Sequence, residues 1–224
     1  MSISITFIEN PKLKGCYEYC KVSETKENGL TKSKNILIDD LMSALSNSLK
    51  IKEDFIPMGP LPDNLIDMKI ASLKPLTAKI YLFFPEGRKR LIYETTRYEV
   101  VLPNILMEID VSKDIVKDVF IHCLEKEMNL KKIRSDLFFQ KITYYKYPFG
   151  NVREDGHICF GSNTMPKIEQ VGQVCSIANL FFDAPGNSDY YTANRTNLNE
   201  GEIRRVYEFL ADKDEFPYEI LKEE

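Results

Sequence analysis

Cys159 stands in "HICFGS", eight residues after Asn151 and across the polar turn "VREDG". A cysteine nucleophile needs access, a route to the thiolate, and donors for the charge that develops on an attacked carbonyl. Asn151 could return an amide N–H toward that charge without adding a charge of its own, and losing one such donor typically costs about 10²–10³ in rate. Gly156 and Gly161 flank the cysteine and permit close backbone approach. His157, two residues away, falls on the same face of a strand and could serve as base in a Cys/His pair, or simply hydrogen-bond along the strand. The competing reading makes Cys159 a small apolar core residue and Asn151 and Gly156 ordinary turn residues. The residues alone leave both open.

Other chemistries fit poorly. A zinc site from His157, Cys159 and Cys175 would need a fourth ligand and paired spacing. A zinc deaminase would need H-x-E with P-C-x-x-C, and neither occurs. We therefore expect no metal and no cofactor. The five cysteines, Cys16, Cys20, Cys123, Cys159 and Cys175, form an odd set without C-x-x-C spacing, a poor disulfide framework.

The elements that must position the cysteine come from periodicity. "SISITFIE", "CYEYCKV" and "KNILID" alternate as strands, and Asp39 is placed to cap a helix with Leu41, Met42, Leu45 and Leu49 on one face. "IPMGPLPDNL" at 56 to 65 reads as a linker, which predicts an N-terminal α/β extension over 1–60 and a core over 61–224. "AKIYLFF", the turn "PEGRKR", "LIYETT" and "YEVVLPNILMEIDV" follow as strands. The segment from 113 to 133 is ambiguous by periodicity. Ile115, Val119, His122, Cys123 and Met128 could line a helix, and "DVFIHCLE" could equally be a strand buried on both faces, the reading preferred here. "LFFQKITYYKY" is a β-rich stretch. Beyond the motif, Pro166 suits a first helical turn, with Ile168, Val171, Cys175, Ala178 and Phe182 at helical spacing. Asn199 and Glu202 resemble a capping box before a last helix with Ile203, Val206, Tyr207 and Leu210 inward. The order is α+β, an antiparallel meander packed with helices.

In the 224 residues, 30 basic against 34 acidic side chains leave a net charge of −4, which argues against a surface built for nucleic acid. The basic cluster at 86–90 reads as a solvated turn. The first residues have neither a basic start nor an apolar run, and "IYLFF" is too short to span a bilayer, so the expectation is a cytoplasmic protein without membrane contact.

The stretch "YPFGNVREDGHICFGSNTMP" resembles the signature of the prokaryotic ubiquitin-conjugating-like family D, which includes a component of the PRTRC cassette. The match lies in Asn151-Val152, Asp155-Gly156, Ile158-Cys159-Phe160-Gly161 and Pro166. "IDDLMSALSNSLK", "YLFFP", "LPNILMEI" and the pair Phe181-Phe182 follow the family's order of features. The resemblance implies a ubiquitin-conjugating-enzyme-like fold, with Cys159 taking a ubiquitin-like protein as a thioester from a ThiF-type activating enzyme and passing it to a protein substrate. It also implies a mobile-element setting. Phe149-Gly150 stands where the eukaryotic enzymes carry His-Pro before their Asn, and the chain has no Trp. By that resemblance Asn151 inherits either an oxyanion or a loop-bracing role. Asp183 and Asp189, in the loop after the helix that follows the motif, are candidates to deprotonate an incoming lysine, or plain solvated carboxylates. The alternative function is a protein-interaction module of the same fold in which Cys159 is structural.

Overall fold

The computed structural model describes residues 2–9, 17–48, 58–138 and 141–224. The chain forms two compact units, Met1–Phe55 and Ile56–Glu224. Cys16, Leu49 and the first part of the proposed linker lie outside the described residues.

In the first unit β1 (Ser2–Glu9), β2 (Tyr17–Thr25) and β3 (Thr31–Leu37) form an antiparallel sheet in that order. Helix α1 (Ile38–Ser48) follows β3 directly, so Asp39 sits inside its first turn instead of capping it. An acidic residue there still complements the helix dipole.

The second unit is α+β. Strands β4 (Leu65–Leu73), β5 (Leu76–Phe84), β8 (Ile105–Ser112) and β9 (Ile115–Cys123) form a four-stranded antiparallel sheet in the order β4-β5-β8-β9. Between β5 and β8 the chain makes the hairpin β6 (Gly87–Tyr93) and β7 (Thr96–Leu102). The meander is thus interrupted, and the basic cluster expected in a turn lies largely on β6. The break between β7 and β8 falls at Pro103-Asn104, because proline cannot continue the ladder. Asn104 is buried there, and its amide donates to the carbonyls of Glu125 (2.9 Å) and Lys126 (3.1 Å) and accepts from the Glu86 N–H (2.9 Å).

Alternation along the central strands divides the sheet's two faces. Ile80, Leu82, Met107, Ile109, Val119 and Ile121 enter the main core, which also contains the apolar faces of the later helices. Tyr81, Phe83 and Leu106 face the other way, onto Met128 and Ile133. Ile133 belongs to α2 (Leu130–Phe138), which lies mostly before the β-rich stretch and takes only its first two residues, Leu137 and Phe138. Its signal is local: the Asn129 side chain accepts from the N–H groups of Lys131 and Lys132, both at 3.1 Å, as an N-cap.

Pro166 does not start a helix. Lys167 bridges Ile115 and the Ile168 N–H donates to Asp114 O at 2.9 Å, so this stretch runs extended beside the start of β9. A 3-10 turn at Val171–Val174 then leads into α3 (Cys175–Asp183). After β10 (Pro185–Gly186), parallel to β6, comes a 3-10 turn at Ala193–Arg195 and α4 (Ile203–Ala211). Helix α4 buries Ile203, Val206, Tyr207 and Leu210, the apolar stripe the sequence predicts, but makes no side-chain capping bond. Among the described residues no helix is long and apolar enough to cross a membrane.

Candidate active site

The site is built on a short hairpin. Tyr147, Pro148, Phe149 and Gly150 are all buried, and the Phe149 ring stacks on Tyr207 of α4 at 4.2 Å between centroids. Val152 then pairs antiparallel with Ile158, both directed into the core. The turn between them closes through Arg153 N–H to His157 O (2.8 Å) and Gly156 N–H to Arg153 O (3.1 Å). Gly156 has a φ of +79°, and an added Cβ would meet His122 Cε1 at 2.6 Å, so glycine is required on both counts. The hairpin is docked on the edge of β9 by Ile121 N–H to Gly156 O (2.9 Å) and Ile158 N–H to Val119 O (2.8 Å).

This pairing sets Cys159 opposite Asn151: the Cys159 N–H donates to Asn151 O at 2.8 Å. The spacing of eight is therefore a hairpin register, with the two residues closing its open end. Cys159 is partly exposed and, with Asn151, Phe160, Phe181, Asn187 and Asp189, lines a cleft of about 240 Å³. Phe160 and Phe181 face each other edge to face at 6.3 Å. Gly161, at φ +58°, begins to turn the chain away from the cysteine, and the turn closes by Asn163 N–H to Phe160 O at 3.2 Å.

The opposite wall is the segment after α3. Its Gly186 N-terminal to Asn187 pairs with Tyr93, and Glu94 N–H donates to Gly186 O at 2.8 Å. Asn151 holds this segment in three places. Its N–H donates to Asp189 O (2.7 Å), its Nδ2 donates to Asn187 Oδ1 (2.9 Å), and its Oδ1 accepts from the Asn187 N–H (2.7 Å). The bond network continues, since Asn187 Nδ2 donates to an Asp189 carboxylate oxygen at 2.9 Å. Asn151 adopts φ +60°, a conformation that asparagine tolerates better than most residues.

The structure thus gathers Cys159, Asn151 and Asp189 at one cleft. His157 and Asp183 are elsewhere. His157 Nε2 lies 3.1 Å from Asp118 Oδ1, and its ring packs edge-on against Phe120 at 5.3 Å. Asp183 ends α3, exposed and outside the cleft lining. The aromatic floor carries no readily ionised group: burial pushes the hydroxyls of Tyr147 and Tyr207 above the ordinary phenol value. Cys123, buried in the core, has its thiol pushed well above the ordinary range by burial and by Glu224, which fits packing and not nucleophilic use.

Two residues of this architecture escape sequence reading. Asn187 carries only the weak turn signal of "PGNSD". Arg195, 1% exposed, carries no signal at all, since a charged residue in a polar loop is expected in water.

The model of the prokaryotic E2 family D matches residues 42–223. The chain belongs to that family. No curated protein and no solved structure matches it. Membership gives an E2-like role in general terms, with protein partners, and accords with the α+β sheet-and-helix architecture described above.

Proposed function

We propose that this member of the prokaryotic E2 family D accepts a ubiquitin-like modifier from a ThiF-type activating enzyme as a thioester on Cys159 and transfers it to an amine of a protein substrate in the cytoplasm. The observation that carries this reading is the partly exposed Cys159 at the open end of a rigid hairpin, in a cleft walled by Asn151, Asn187 and Asp189.

In the first step the Cys159 thiolate attacks the carbonyl of the activating enzyme's thioester. A new S–C bond forms and the activating enzyme's thiolate departs. In the second step a substrate amine attacks the same carbonyl, the Cys159 S–C bond breaks, and the amine proton passes to a base. Asp189 is the carboxylate at the cleft and the candidate for that proton. His157, held by Asp118, and Asp183, outside the cleft, are set aside for it. Because the thioester is already activated, the protein's contribution is positioning and stabilisation of the oxyanion. Asn151 serves here as a brace, since both ends of its amide already bind Asn187.

That same engagement is the observation favouring the second reading, a protein-interaction module in which Cys159 is structural. The two separate on incubation with ATP, a charged ThiF-like enzyme and candidate ubiquitin-like proteins. A thiol-sensitive adduct lost in Cys159→Ala supports transfer. Absence of any adduct while the activating enzyme is charged supports the module.

A further inference from the structure

Arg195 is buried, yet among the described residues its guanidinium makes no hydrogen bond to a carboxylate; its partners there are main-chain carbonyls. Nε and Nη2 donate to Tyr190 O at 3.1 and 3.0 Å, Nη1 donates to Tyr147 O at 3.3 Å, and Nη2 also donates to Val152 O. Each acceptor adjoins a part of the site. Tyr190 follows Asp189, whose carbonyl holds the Asn151 N–H. Val152 follows Asn151 and pairs with Ile158, next to Cys159. Tyr147 opens the buried run that ends at Gly150.

We propose that Arg195 is a positioning residue of the Cys159 cleft, one buried fork that ties the cysteine hairpin to the loop forming the opposite wall. A planar guanidinium can bridge carbonyls from separate segments at fixed angles, which an ammonium on a flexible stem cannot do. An apolar replacement would leave buried carbonyls unpaired. The charge is tolerated because these carbonyl dipoles surround it, with Glu154 and Glu224 offsetting the burial that lowers its pKa. The consequence for transfer rests on the proposed function; the consequence for the cleft's geometry does not.

The test compares wild type with Arg195→Lys and Arg195→Gln by residue-resolved amide exchange. Removing the fork should speed exchange at the Asn151, Cys159 and Asn187 N–H groups by about tenfold or more, leaving Met107 and Ile109 of β8 within about twofold. Unchanged rates at the three site amides overturn the proposal. A uniform rise across site and sheet also overturns it, by making Arg195 a general stabiliser.

In the charged protein, discharge to an amine should slow by about tenfold, while iodoacetamide alkylation of Cys159 changes by less than about threefold. Equal loss of both would again mark a structural residue. If wild type cannot be charged, the transfer reading fails alone and amide exchange still judges Arg195. Should neither variant fold, wild-type exchange with rising denaturant decides. The Arg195 guanidinium protons and the site amides must open in one step below global unfolding; guanidinium protection that outlasts the loop's overturns the proposal.

Discussion

Asn151 and Asn187 hold each other reciprocally: the Asn151 amide nitrogen donates to Asn187 Oδ1 at 2.9 Å, and the Asn187 main-chain N–H donates to Asn151 Oδ1 at 2.7 Å. This exchange locks the loop after α3 to the cysteine hairpin, and it requires Asn151 to stay at φ +60°. Backbone and side-chain contributions can be separated. Asn151→Gly keeps the conformation and loses two hydrogen bonds, an expected cost of roughly 1–3 kcal/mol. Asn151→Ala should cost about 1–2 kcal/mol more, because alanine resists the left-handed region. Urea unfolding measures both, and equal midpoints for the two variants would refute the backbone part.

Gly150 and Gly161 flank the site but are needed for different reasons. A Cβ on Gly150 would lie 2.1 Å from Asn187 O, a main-chain atom that can move only with its loop. A Cβ on Gly161, at φ +58°, would meet nothing within 4 Å beyond its chain neighbours. Gly150→Ala should therefore push the loop outward and destabilise the fold by roughly 1–3 kcal/mol. Gly161→Asn should be nearly neutral, since asparagine tolerates that conformation. A neutral Gly150→Ala in thermal unfolding would mean that the two walls do not touch as described.

What the sequence disclosed, and what it hid, follows one division. Local and periodic features are legible: the inward stripe of α4 reads directly, and the spacing of Asn151 and Cys159 is a hairpin register, whereas periodicity alone leaves β9 between helix and strand and the sheet decides for strand. Features decided by distant contacts are not legible. Helix α2 is hidden because it lies across the boundary between the ambiguous segment ending at "NLKKI" and the β-rich "LFFQKITYYKY", while its actual determinant is the Asn129 cap and the pocket that receives Ile133. Pro166 suits a helix start by residue type, but the edge of β9 captures that segment. His157 and Cys159 alternate to one face on paper, yet Asp118 claims the imidazole. Arg195 escapes because its partners are carbonyls of two stretches distant in the chain, Tyr147 and Val152 in one and Tyr190 in the other.

The thiols should differ in reactivity toward iodoacetamide at about pH 7. Cys20 and Cys123 are fully buried, and burial and Glu224 also raise the Cys123 pKa. Cys175 is half-buried, and its thiol is raised by burial and by Asp63. Among the four described thiols, Cys159, opening on the cleft, should be modified first, Cys175 later, and Cys20 and Cys123 only on unfolding. Peptide-resolved mass spectrometry over a time course checks this. Faster alkylation of Cys175 than of Cys159 would contradict an accessible cleft thiol.

Stability should carry an acid-sensitive contribution from Glu154. Lys146 Nζ lies 2.5 Å from its carboxylate, and that hydrogen bond holds Glu154 below its ordinary value of 4.5. A carboxyl whose pKa is depressed by folding stabilises the native state as an anion. Its contribution is complete above the ordinary value and disappears as pH falls through the lowered native one. Glu154→Gln cannot titrate there. The difference in thermal midpoint between wild type and Glu154→Gln should therefore be constant from neutrality down to about pH 5, then shrink toward zero on further acidification. The pair is partly solvent-exposed, so the plateau should be small and should fall with added salt. A difference that grows on acidification would mean that the charged carboxylate is not favoured in the fold, and that Lys146 does not hold the hairpin turn.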